Sequence, residues 1–306
     1  MTDDDVYWAL IDVANGLISG TMLGGYYAII AIGLTLTFGV MRLVNLAHGD
    51  WLVFSAYLSL VFLSLVPISP LYTLIGVVPV MYGVGYALQR LLLNRVSVQA
   101  MEQKGMSTSF GLMSPILVTF GMSIVLAQGL LAGFSSNTQV IRNELSYSAI
   151  QLSEDLSVST LRLTFFCVAV AILVLTALLL RATHVGRAIR AASDDAEIAP
   201  LMGMRPARIY ATASGISLAI AGVAGVMVGM TRPFQPFDGP QFLLVAFGVV
   251  ILGGMGSLAG SLVGGILLGV VQILAGTYFG PSAQLVGGYM LILAVLALKP
   301  QGLFAR

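Results

Sequence analysis

GLTLTFGVMRLVNLAHGDWLVFSAYLS, residues 33–59, sets Thr35, Thr37, Arg42, Asn45, His48 and Asp50 into a chain that is otherwise strongly apolar. Two readings of this stretch are available. In one, Arg42 and Asp50 sit in a short cytoplasmic turn, and Asp50 caps the helix that follows. In the other, the stretch is a broken helix. Polar groups at membrane depth are tolerated only within protein or along a water-filled path, and transporters use such breaks to present half-helix ends to their solutes. Arg42 and Asp50 are read first as turn and cap, Asn45 and His48 as part of a broken helix, and Thr35, Thr37, Asn45, His48, Gly49 and Asp50 are together the candidates for the substrate pathway.

Outward from this stretch the chain is all membrane. Of its 306 residues, 58% are hydrophobic and 9% charged, with a mean hydropathy of +0.97. Soluble domains carry about 25% charged residues. The long, continuous apolar runs select helices over a barrel, since about 20 apolar residues cross the hydrocarbon. Spans are expected at 12–33, 50–66, 71–90, 113–133, 161–180, 209–230, 242–254, 257–277 and 284–298. The division at 253–260 could instead be one long helix or a re-entrant pair, so the count is eight or nine. The expected fold is a single all-α polytopic membrane domain over 1–306. The acidic start, MTDDDVYW, lacks the basic region of a cleavable leader, so the first span is expected to stay.

Lys and Arg accumulate on the cytoplasmic side. With an external N-terminus and nine spans, eleven of the 14 basic residues fall inside, together with the C-terminus. Arg142, Arg162 and Arg232 fall outside. The segment 134–160 is then an external polar loop and 181–208 a cytoplasmic one. A net charge of +1 points to no nucleic acid.

Small residues at four-residue spacing let helices approach closely in lipid. Gly16, Gly20 and Gly24 form one such stripe, Gly225 and Gly229 continue a second, and Gly265 and Gly269 a third. The tripeptide Phe38-Gly39-Val40 returns as Phe247-Gly248-Val249, a hint of an internal, inverted repeat with broken or re-entrant helices. The loop 181–208 reads as a short amphipathic helix between Gly186 and Gly203. Arg187 and Arg190 lie on it, Asp194 and Glu197 form a D-x-x-E start, and Pro206 opens the next span. Pro200 shortens or kinks it.

The two lysines, Lys104 and Lys299, lie in no P-loop context, so no ATP site is expected on this chain. With His48, His184 and Cys167 as the sole His and Cys, neither a metal site nor a catalytic triad is expected, and the chain is read as a non-enzyme. An ion-coupled carrier or a channel working alone remains the rival, although the spans hold few mid-span charges.

Four motifs in order, GLTLTFGVMRLVNLAHGD, GRAIRAASDDAEIAPLMGM, VVILGGMGSLAGSLVGG and LKPQGLF, resemble the LivH-type permeases of bacterial ABC importers for branched-chain amino acids and related solutes. The resemblance runs over residues 16–304. It implies a multi-pass inner-membrane subunit that forms half of a solute pathway. The expected partners are a second, LivM-type permease, two cytoplasmic ATPase subunits that carry ATP and Mg, and a periplasmic substrate-binding protein. Asn45, Ala47, His48, Gly49 and Asp50 match the family's N-x-A-H-G-[DE] element. The loop around Arg187, Arg190, Asp194, Asp195, Glu197 and Gly203 matches its ATPase-coupling segment, where Pro200 replaces an expected polar residue.

Overall fold

Hydrocarbon offers no partner to a backbone amide, so each apolar run closes its hydrogen bonds within itself. A computed structural model describes residues 3–41, 44–66, 68–96, 108–143, 148–153, 156–194, 199 and 203–304. Arg42, Lys104, Asp195, Glu197 and Pro200 lie outside the described residues. The chain runs through α1 (Asp3–Met41), α2 (His48–Leu65), α3 (Leu74–Leu88), α4 (Thr108–Phe134), a hairpin of β1 (Ala149–Ser153) and β2 (Leu156–Ser159), and α5 (Thr160–Ala182). It continues with α6 (His184–Asp194), α7 (Pro206–Thr231), α8 (Gly239–Gly253), α9 (Leu258–Phe279) and α10 (Pro281–Leu298). The helix α3 is entered through a 3₁₀ turn, Pro70–Thr73, and left through a π turn, Gln89–Leu93.

Among the described residues, eight helices are long and apolar enough to cross a membrane. The ninth apolar segment, α8, has 15 residues and spans about 22 Å, short of the roughly 30 Å of hydrocarbon. The doubtful division at 253–260 is therefore real. Gly254 and Gly256 have φ of 92° and 85°, a backbone that glycine alone adopts cheaply. A Cβ on Gly253 or Gly260 would overlap the other's backbone, so α8 and α9 fold back on each other tightly. The first span is longer than 12–33, because α1 extends from Asp3 to Met41. The segment 134–160, read as a polar loop, holds the antiparallel β1–β2 ribbon.

The most extensive helix pairings are α1 with α9 and α3 with α7. The α1–α9 pair is antiparallel and runs on the glycine stripes. Cβ atoms at Gly16, Gly20 and Gly24 would meet Leu274, Val270 and Ile266, while Gly265 and Gly269 abut Gly24 and Gly20. Along α3, Gly85 meets Ser214 and Met81 meets Gly222, again antiparallel. Gly225 rests on Leu52 and Ser55 of α2, and Gly229 on Ile141 and Phe234.

These two pairings fit an inverted repeat in which α1–α4 correspond to α7–α10 with reversed direction, joined by α5 and α6. The counterpart of α1–α9 is then α7–α3, which are the two dominant contacts. The repeat differs from the one suggested by the Phe-Gly-Val triplets. Those lie on α1 and α8, which are not counterparts in this arrangement.

Candidate functional site

α2 and α8 occupy equivalent places in the two halves, and both begin in the interior. A Cβ on Gly49 would overlap the Gly239 carbonyl, and one on Gly239 would overlap the Asp50 carboxylate. Two helix N-termini are thus packed against each other, and both are buried: His48, Gly49, Asp50, Trp51, Leu52 and Val53 on α2, Gly239 and Phe242 on α8.

The NLAHGD segment builds this junction. The Asn45 side-chain oxygen accepts from the Ala47 amide at 3.1 Å, shaping the turn into α2. The Leu46 amide donates to the Thr119 hydroxyl of α4 at 3.3 Å. Nε2 of His48 donates to the Ile30 carbonyl at 3.1 Å. Ile30 lies eleven residues before the end of α1, about 16 Å along the helix. The chain therefore re-enters the bundle before α2 starts, and the broken-helix reading of this stretch describes its geometry. Asp50 is 1% exposed, with its carboxylate beside the Ser123 side chain of α4. The positive ends of two helix dipoles, its own and that of α8, are what it faces there.

Thr35 and Thr37 lie on α1, one to two turns beyond Ile30, and couple α1 to both neighbouring helices. The Thr35 hydroxyl donates to the Ala31 carbonyl at 3.0 Å and shares a 2.5 Å bond with Ser261 of α9. The Thr37 hydroxyl donates to Ser217 of α7 at 2.6 Å, which donates to the Gly33 carbonyl at 2.6 Å. Both threonines are buried.

At one end of the bundle, four separate stretches meet. Between α5 and α6 the turn is so tight that a Cβ on Gly186 would overlap Leu179 and Leu180. α6 buries Ile189 and Ala192 and leaves Arg187 and Arg190 exposed. The Arg187 guanidinium donates to His184 Nδ1 at 2.9 Å and to the Ala182 carbonyl at 3.3 Å. The Ser193 hydroxyl fixes α6 to α1 by donating to the Gly39 carbonyl at 2.5 Å. Gly39 also abuts Gly256 in the α8–α9 turn. The chain end closes the same region: amides of Leu303 and Phe304 donate to the carbonyls of Leu252 and Gly253 at 3.0 and 3.2 Å, capping α8. Asp194 is the last described residue of α6, which begins at His184; its D-x-x-E partner Glu197 lies outside the described residues. Gly203, at φ 75°, leads into α7, which starts at Pro206 as its φ favours.

Towards the other end lies a cavity of about 420 Å³. Its walls come from α1, α5, α8, α9, α10 and the end of α7. None of the six pathway candidates lines it, although Ile30, whose carbonyl holds His48, does. Its polar groups include Tyr26, Tyr27, Arg162, Arg232 and Gln272, which no sequence motif gathers. The signal available was that Arg162 and Arg232 are exceptions to the basic-residue asymmetry.

Two reversed halves, each with a helix that begins inside the bundle, define a polytopic membrane permease. The chain belongs to the family described as branched-chain amino acid transport system / permease component, whose model matches residues 16–297. It is 27% identical to the high-affinity branched-chain amino acid transport system permease protein LivH of Salmonella typhimurium over 304 residues, 95% of this chain and 94% of that one. With BraD of Pseudomonas aeruginosa, a permease protein of the same description, it shares 27% over 308 residues, 99% and 97% of the two chains. LivM of Escherichia coli (strain K12) is 35% identical over 120 residues, covering 39% of this chain and 28% of that protein.

Proposed function

We propose that this chain forms half of the solute pathway of a bacterial ATP-driven importer for branched-chain amino acids or related amino acids, amides, urea or small carboxylates. A second, LivM-type permease completes the pathway. Two cytoplasmic ATPases bind ATP and Mg, and a periplasmic binding protein delivers the solute. The N-terminus is external, and the α6 end of the bundle is cytoplasmic, as the distribution of Lys and Arg indicates.

The observation that carries this reading is the meeting of four stretches at the α6 end. There α6 presents Arg187 and Arg190 outward while its buried face and Ser193 tie it to the end of α1. α1 in turn contacts the α8–α9 turn through Gly39. A push on α6 is thereby delivered to α1, which holds the start of α2 through His48. The segment 181–208 is the coupling loop of this reading, and Asp194, Asp195, Glu197 and Gly203 belong to it with the two arginines. Nucleotide shifts the pathway between its two openings only through different affinity for the two states.

The test is affinity purification of the tagged chain from membranes expressing the neighbouring transporter subunits. Wild-type chain is expected to bring a second permease and two P-loop proteins. The double change Arg187→Glu, Arg190→Glu is expected to keep the permease and lose the ATPases. Retention of both ATPases by that variant would remove α6 from the interface.

One observation favours an ion-coupled carrier instead, namely Asp50, since buried carboxylates in transporters bind coupling ions. Its position against two helix N-termini disfavours a cation there, because both dipoles direct their positive ends at the site.

A further inference from the structure

We propose that the 420 Å³ cavity between α1, α5, α8, α9 and α10 is a site within the permease itself for a small carboxylate bearing an apolar side chain, the class that includes leucine-type amino acids. This rests on the importer reading for its orientation and extends it by giving the membrane subunit a selectivity of its own.

The cavity volume falls within the roughly 300–1,000 Å³ of small-molecule sites. Its walls are mainly apolar, with Leu23, Ile30, Phe165, Phe242 and Leu268 among them. That supplies room for an aliphatic chain. Among the described residues, the charged side chains of the lining are Arg162 and Arg232, with no acidic one beside them. An anion entering the cavity meets two guanidiniums and no repelling carboxylate, and a planar carboxylate suits the guanidinium fork.

The second argument is independent of the cavity. Only Arg142, Arg162 and Arg232 fall on the external side in the orientation above, against the general bias. Two of these three line this one cavity. Arg232 is also held in place, with its guanidinium 4.4 Å from the centroid of the Phe242 ring, an attractive cation–π contact. Arg232 and Arg162 are both part of the cavity lining.

Neutral groups are set for the remainder of an amino acid. The buried Tyr26 hydroxyl lies beside the Thr231 side chain in the cavity wall, and the Tyr27 hydroxyl donates to Gln272 Oε1 at 2.5 Å. The faces of Tyr26, Tyr27 and Tyr289 can hold an ammonium group by the same cation–π attraction.

The experiment is calorimetric titration of the purified full complex, without binding protein, using leucine, isovalerate and leucinol as probes. Leucinol keeps the amine and the side chain but lacks the carboxylate. At least one of the two carboxylates is expected to bind, leucinol to bind at least tenfold more weakly, and Arg232→Gln to weaken the carboxylate at least tenfold. Arg142→Gln, outside the cavity, is expected to change nothing. Absence of binding by both carboxylates, equal binding of leucinol, or unaltered binding in Arg232→Gln would each overturn the site. Loss of folding in Arg232→Gln is checked by its size-exclusion profile, and Arg162→Gln then serves as the second variant under the same criteria. ATP-dependent uptake by the wild-type complex is measured separately. Failure of uptake with intact carboxylate binding counts against the importer reading and not against the site.

Discussion

α2 and α8 start at the same internal junction but are held by different means. α2 is fixed by side chains at its beginning. Asn45 shapes its turn, His48 bonds to the Ile30 carbonyl, and Asp50 lies over the first turn of α8. α8 begins with Gly239 and Pro240 and is fixed by backbone at its far end, where the amides of Leu303 and Phe304 take up the carbonyls of Leu252 and Gly253. Two halves of one architecture have thus come to rest on unlike chemistry. Side-chain anchors leave a motif that can be read along the chain; backbone anchors, formed between residues fifty apart, leave almost none.

The largest effect is expected where both helices depend on the same space. Gly49→Val or Gly239→Val forces a side chain into the facing backbone or carboxylate, and overpacking costs about 1–3 kcal/mol or more. Neither variant should give a monodisperse permease by size exclusion, whereas Gly129→Val, with nothing within 4 Å of its Cβ, should. If Gly239→Val assembles normally, the junction does not hold both helices.

Ending the chain after Gln301 tests the anchor of α8 alone. Two carbonyls lose their donors, and a buried group left unpaired costs about 1–3 kcal/mol. The melting temperature in detergent should fall further than in His48→Ala, which removes one hydrogen bond to the Ile30 carbonyl, a group already paired within α1, together with the packing of one buried imidazole. A truncation that melts like wild type would mean that α8 needs no cap. The smallest effect is expected for Thr37→Val, which removes one hydroxyl from the chain of bonds to Ser217 and Gly33, about 0.5–1.5 kcal/mol. A melting shift larger than that of His48→Ala would reverse this order and make the α1–α7 contact the stronger tie.

The same contrast governs what could be read in advance. Apolar run lengths placed nearly every helix, and the cluster of polar residues around Asn45, His48 and Asp50 marked the broken segment. The glycine stripes at Gly16–Gly20–Gly24 and Gly265–Gly269 turned out to face each other, a pairing their spacing could not specify because any two small-residue faces can approach. The start of α8 inside the bundle was hidden, since Asp238-Gly239-Pro240 reads as an ordinary turn. The correspondence of α2 with α8 was equally hidden: their starting sequences share no pattern. The cavity draws its polar residues from Tyr26, Arg162, Arg232 and Gln272, separate along the chain and joined only by folding.

The central claim, that this chain is half of an ATP-driven pathway, is tested most directly by uptake into proteoliposomes. One set carries this chain alone under a sodium or proton gradient. The other carries it with the second permease, both ATPases, enclosed ATP and external binding protein. Uptake of radiolabelled leucine or of the binding protein's own ligand is predicted only in the second set, and to stop when ATP is omitted. Gradient-driven uptake by the chain alone would contradict the account and return Asp50 to the role of an ion-binding carboxylate.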